Sequence, residues 1–119
     1  MSSKLESSIL LTIRKMRVGN EEDDSFDLDL LTHINTALYI LRQHNVGDTR
    51  FVVTGTDETW SDFLGEDLDA LQGVITYVDV YVHLMFDPPS SSYHTNLLND
   101  QKRELEFRLN ISTDPDFKQ

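Results

Sequence analysis

Cysteine is missing from the chain, so disulfide and thiol chemistry are both excluded. Long apolar runs are missing too. The longest near the start is Ile9-Leu10-Leu11, too short for the apolar segment of a signal peptide, and no other stretch approaches membrane length. The expectation is a soluble protein that is neither secreted nor membrane-bound. Tryptophan occurs once, at Trp60, and hydrophobic residues make up 39% of the chain, the low end for a self-sufficient globule. The core is therefore thin, or partners add to its stability. A length of 119 residues fits one domain, 1–119, able to hide roughly two-thirds of its unfolded surface.

Basic residues are also scarce, 10 against 21 acids, for a net charge of −11. Their placement is uneven. Residues 1–20 hold Lys4, Arg14, Lys15 and Arg17 against Glu6 alone. Residues 21–100 hold only Arg42 and Arg50 among a large excess of acids, and residues 101–119 balance. A DNA-gripping protein needs a basic face to displace counterions from phosphates, and the middle of this chain offers the opposite. Only the short basic start is suited to touch nucleic acid. The plainer reading is an acidic face meeting that basic helix, within one subunit or between two.

Four windows carry helical periodicity. The first, about 4–17, places Leu5, Ile9, Ile13 and Met16 on one stripe and stops at Val18-Gly19-Asn20. The second, about 25–44, buries Phe26, Leu30, Ile34, Leu38 and Leu41, with Asp24 or Ser25 as its cap and Asp27 and Asp29 in its first turn, where the helix dipole favours acids. The third, about 66–86, is the most apolar, with Leu71, Val74 or Ile75, Val78, Val82 and Met85 on a wide face, so it is expected to be central. Asp87-Pro88-Pro89 stops it. The fourth, about 92–110, shows a thin stripe of Leu98, Leu105 and Leu109, followed by an extended tail over 111–119. Between the second and third windows the period breaks. Arg50–Thr54 is β-prone, with room for a short hairpin-like stretch, and Thr56–Leu64 suits one helical turn. The fold class is all-α, a small bundle of about four helices, with Leu30, Ile34, Leu38, Leu41, Leu71, Val78 and Val82 as its core.

No residue pattern supports catalysis or metal binding. Asp23, Ser25 and Asp27 match three positions of a calcium loop, but Leu28 stands where glycine is needed and Ile34 where a bidentate glutamate belongs. A capped acidic helix start explains the same residues. His33, His44, His83 and His94 lie in different elements without ligand spacing, and the Gly55-Thr56-Asp57-Glu58 turn lacks the Lys-Ser/Thr of a phosphate loop. No nucleophile elbow is present. The aromatic segment raises another question. Phe51, Val53, Trp60 and Phe63 sit in a stretch too short to make its own core, so they fold back on the second and third windows or anchor a neighbouring subunit. Tyr77 and Tyr81 beside the third stripe pose the same choice.

The order of landmarks carries a resemblance. A basic first helix precedes Asp-Ser-Phe-Asp-Leu-Asp-Leu-Leu-Thr-His-Ile-Asn-Thr-Ala-Leu (24–38). Then come Phe51 to Gly55, Asp57-Glu58-Thr59-Trp60-Ser61-Asp62-Phe63-Leu64, Leu84-Met85-Phe86-Asp87-Pro88-Pro89-Ser90-Ser91-Ser92 and Glu104-Leu105-Glu106-Phe107-Arg108-Leu109-Asn110. Across residues 8–111 the chain resembles the head–tail connector, or head completion, proteins of siphophages and prophages of Gram-positive bacteria. The resemblance implies a small helical bundle, made in the host cytoplasm and placed in the virion, without enzymatic activity or cofactor. It implies a ring, typically dodecameric, beneath the portal protein and above a tail-proximal stopper or completion protein, through which DNA passes without sequence-specific binding. On that reading Phe51, Val53, Trp60, Phe63, Phe107 and Phe117 belong to subunit or portal contacts. Arg14, Lys15 and Arg17 then face acids of a neighbour, such as Glu66, Asp67 or Asp69. Two other classes fit the composition: an acidic decoy imitating DNA, and a small regulatory domain that binds one partner helix.

Val78 lies mid-stripe on the most apolar window, and an unpaired buried carboxylate there costs several kcal/mol, a large share of a marginal domain's stability. Val78→Asp is expected to abolish the cooperative melt followed by circular dichroism; a melt close to the parent's would show that this face is not the core.

Overall fold

A computed structural model of the chain describes residues 6–48, 50–65 and 68–112, and these form five helices: α1 (Ile9–Arg17), α2 (Asp27–Gln43), α3 (Trp60–Leu64), α4 (Leu68–Phe86) and α5 (Ser92–Ser112). The fold is an all-helical bundle. α1 begins at Ile9, later than the periodicity suggests, because the Ser8 side chain accepts from the Leu11 N–H at 3.2 Å and caps it there. Lys4 and Leu5, included in the expected helix, lie outside the described residues.

α2 opens without a side-chain cap, Phe26 standing at the cap position. Asp24 and Ser25, the expected caps, serve otherwise: Asp27 N–H donates to the Asp24 carbonyl and Ser25 N–H to the Asp23 carboxylate. Its C-terminus is specified more tightly. Asn45 takes φ 65°, Val46 N–H donates to the Leu41 carbonyl at 3.0 Å and Asn45 N–H to the Arg42 carbonyl at 3.0 Å. This is the left-handed termination in which the next residue folds its apolar side chain back on the last turn, and Val46 is 2% exposed. Gly47 follows at φ 83°, with the Phe63 ring lying where a side chain would stand.

The β-prone run Arg50–Thr54 forms no hairpin. Phe51 N–H donates to the Asp48 carbonyl, and side chains take the place of a strand at Val53: Asn35 on α2 accepts from the Val53 N–H at 2.8 Å and donates to the Val53 carbonyl at 2.9 Å. Arg42 donates to the Phe51 carbonyl at 2.8 Å, and the Glu58 carboxylate accepts from the Thr54 hydroxyl and the Gly55 N–H. One asparagine thus does for Val53 what a neighbouring strand would do, and β-pairing loses its reason. Among the described residues the single bridge is Ser8 with Thr59. Ile9 N–H donates to the Glu58 carbonyl and Trp60 N–H to the Ser7 carbonyl, so the irregular segment clasps the start of α1. α3 then begins with a reciprocal cap, the Thr59 hydroxyl accepting from the Asp62 N–H and the Asp62 carboxylate from the Thr59 N–H.

α4 is the axis of the bundle and touches α1, α2, α3 and α5. Ala70, Leu71, Val74, Ile75, Tyr77, Val78, Val80 and Val82 are buried around most of its circumference. Opposite them α2 buries Leu30, Ile34, Ala37, Leu38 and Leu41, and α1 adds Ile9, Leu10 and Ile13. α5 contributes little, chiefly Leu109 packed on Gly73 and half-buried Leu105. It continues through Ser112, past the expected boundary, and residues 113–119 of the expected tail lie outside the described residues.

Asn35 joins a helix to a segment that has no regular structure of its own. Removing it leaves a buried donor and acceptor at Val53 unmet, a cost of about 1–3 kcal/mol. Asn35→Ala is expected to lower the melting temperature by several degrees with helix content unchanged below the transition; an unaltered melt would mean that other contacts hold residues 51–55.

Candidate assembly surfaces

The aromatic segment folds inward. Trp60 is 0% exposed and Phe63 and Val53 2%, all within the main core, while Phe51 is half-buried and its ring stands 5.4 Å from that of Phe63. The indole N–H of Trp60 donates to the Thr12 hydroxyl at 3.2 Å, tying α3 to α1. In this fold Val53, Trp60 and Phe63 fill the subunit's own interior, and Phe51 packs against them at its edge. The sequence alone left both outcomes open, since loop position does not say which helices close over the loop.

Two of the three cations at the end of α1 are likewise committed within the subunit. Arg14, 6% exposed, makes a two-pronged pair with the Asp27 carboxylate and donates to the Glu21 carbonyl. The hydrogen bond to Asp27 raises its pKa above the ordinary arginine value against the opposing effect of burial. Arg17 lies 2.8 Å from Asp79 on α4 and 3.6 Å from Asp87 beyond it. Burial pushes the Asp79 carboxyl above its usual range, and the charges of Arg17 and His83 act against that shift. Lys15 points outward, its side chain 72% exposed, in a loose 4.0 Å pair with Glu21. Asp69 is exposed on α4, and Glu66 and Asp67 lie outside the described residues.

A polar clamp that the sequence did not signal joins α4 to α5. Buried Tyr77 donates to Glu106 at 2.6 Å, and Lys102 reaches the same carboxylate at 3.0 Å. Burial raises the Glu106 pKa, but the hydrogen bonds from Tyr77 and Lys102 outweigh it and hold the carboxyl below its usual range. Burial, then the bond to Glu106, pushes the Tyr77 hydroxyl far above an ordinary tyrosine. The spacing of Lys102 and Glu106 marks a helix pair, but nothing in it names Tyr77 as the third member.

What remains for partners is the outer surface. Tyr93, Leu97 and Phe107 on α5 are 68%, 47% and 64% exposed, and Phe26, Leu28, Tyr39, Val52 and Met85 are also open to solvent. Of the residues expected at interfaces, Phe107 and Lys15 are on the surface, and Phe117 lies outside the described residues. On the other side of the bundle a cleft of about 470 Å³ opens between α1 and α4, lined by Leu11, Lys15, Met16, Glu21, Gln72 and Ile75 among others. Among the described residues no cluster of His, Asp or Glu is placed to hold a metal ion, and no helix is long and apolar enough to cross a membrane.

Polar groups of this helical bundle serve its own packing, and apolar side chains are left on its outer faces. Residues 9–116 match the family described as phage connector protein, a span that contains all five helices, and the chain belongs to that family of bacteriophage structural proteins. No curated protein and no solved structure matches it.

Burial reverses what a surface anchor would do on truncation. Trp60→Ala is expected to destabilise the isolated subunit by about 3–5 kcal/mol through lost packing and a cavity. Chemical denaturation checks this: a midpoint equal to the parent's would place Trp60 at the surface in solution.

Proposed function

We propose that the chain is a head–tail connector subunit, which binds as a ring beneath the portal protein and continues the DNA channel towards the tail. The single observation that carries this reading is the family match, because it extends over 9–116 and therefore over the whole bundle instead of one motif. The charge supports it. With a net of −11, and with Arg14 and Arg17 already neutralised inside the subunit, the outer surface repels phosphate. Such a surface suits DNA that passes without sticking. The ring, dodecameric in the virion on this reading, contacts the portal on one side and a tail-proximal stopper or completion protein on the other. The work is done by assembly, without a catalysed reaction.

Native mass spectrometry of the purified chain with and without the portal protein of the same phage tests this. The expected result is an added mass of twelve 13.7 kDa chains on each portal ring. A monomer or dimer that ignores the portal and instead captures a DNA-binding protein would favour an acidic decoy and remove the connector reading.

A further inference from the structure

α5 has two unlike faces. Leu105, Leu109, Lys102 and Glu106 turn towards α4. Tyr93, Leu97, Asp100, Glu104 and Phe107 recur at spacings of three and four on the opposite side, a stripe about 21 Å long at 1.5 Å per residue. Among the described residues α5 packs chiefly on α4, and Tyr93, Leu97 and Phe107 of that stripe stay exposed. The cleft between α1 and α4 is a second unfilled feature, with Leu11, Met16 and Ile75 as its apolar wall and Lys15, Glu21 and Gln72 among its polar lining.

These two features lie on opposite flanks of the same axis. Gln72 and Ile75 line the cleft and Asp79 meets Arg17 of α1, whereas Gly73 and Tyr77 meet Leu109 and Glu106 of α5. At about 100° per residue the first set falls on one side of α4 and the second on the other. A stripe and a cleft on opposite flanks cannot meet within one subunit. They can meet between successive copies, and a contact of that kind closes into a ring when the rotation fits.

We infer that the outward stripe of α5 in one subunit docks into the α1–α4 cleft of the next, head to tail. The inference rests on the ring proposed above and adds which two surfaces form it. Charge selects them. Copies of a chain with net charge −11 repel across most of their surfaces. Arg14 and Arg17 are already paired within the subunit, so the cleft presents one base and one acid, Lys15 and Glu21, and α5 carries three acids (Asp100, Glu104, Glu106) against three bases (Lys102, Arg103, Arg108); these faces can approach without net repulsion. Asp100 and Glu104 already pair with Arg103 and Arg108 on α5, so their attraction to Lys15 sets register more than affinity. The buried area comes from Tyr93, Leu97 and Phe107, of which the aromatic pair is the kind of side chain that anchors interface centres.

The absence of native cysteine makes the test direct. Met16→Cys and Leu97→Cys each place one thiol at an exposed position, 43% and 47% open, where circular dichroism should show an unchanged fold. The two full-length variants are mixed equally, assembled on the portal protein and treated with a short bis-maleimide. The expected product is a dimer linked through positions 16 and 97, with neither variant cross-linking efficiently alone, and the double variant should give a ladder up to the complete ring. Efficient linkage in Leu97→Cys alone would mean that α5 meets α5, which overturns the head-to-tail contact. Rings of normal mass without any 16–97 product would overturn the contact and leave the connector reading standing. Failure of the unsubstituted chain to add mass to the portal would remove both.

Discussion

Everything in this subunit depends on the burial of α4. A helix that is apolar around most of its circumference cannot rest on a surface; it must be surrounded. α1, α2 and α5 are the walls that this requirement calls up, and α3 closes one end. The supply of apolar residues elsewhere is limited, which explains why two of those contacts contain polar groups. α5 reaches α4 partly through Tyr77, Lys102 and Glu106, and α1 partly through Arg17 and Asp79. Each places charge at a packing boundary, where the partners on both sides must be present for burial to be tolerated. The subunit is thus held by an apolar centre with ionic seams at its margins.

The second constraint is the connection from α2 to α4. Its residues do not form a sheet, yet Val53, Trp60 and Phe63 must reach the core. Asn35, Arg42 and Glu58 satisfy the backbone of that stretch, and Phe63 folds over Gly47 at a positive φ that leaves no space for a side chain. The clasp on Ser7 and Ile9 then fixes where α1 starts. Local order in the irregular segment and placement of the first helix are therefore one event.

Much of this was legible before any coordinates. The stripe through Leu30, Ile34, Leu38 and Leu41 and that through Leu71, Val78 and Val82 follow from periodicity, and every one of these residues is buried. The proline stop after Phe86 and the glycine after Val18 are equally local signals. What could not be read depends on distance in the chain. Asn35 looks like an ordinary polar position on a helix until Val53 arrives eighteen residues later. Arg14 and Arg17 look like surface charges until Asp27, Asp79 and Asp87 close on them. The inward turn of Trp60 depends on Thr12, which is forty-eight residues away. The β-prone composition of residues 50–54 suggests a strand, yet no hairpin forms there, because propensity describes a backbone preference and not what satisfies it.

The internal use of the basic residues has a consequence for assembly. Segregated charge along a sequence suggests that the positive end of one molecule seeks the negative middle of another. Here the fold brings those parts together first: Arg14 and Arg17 meet acids of their own subunit, and both are largely shielded from solvent. Charges so paired add little attraction towards a second copy, while the remaining acids still repel it. The association proposed above must then come from faces where apolar area is exposed and charge cancels, and its expected dependence on salt is the opposite of that for a simple ion-pair contact: screening weakens the repulsion between copies and leaves apolar burial intact. The acidic lining and the self-associating ring proposed above are compatible for this reason, because a surface that repels DNA and surfaces that join subunits need not be the same.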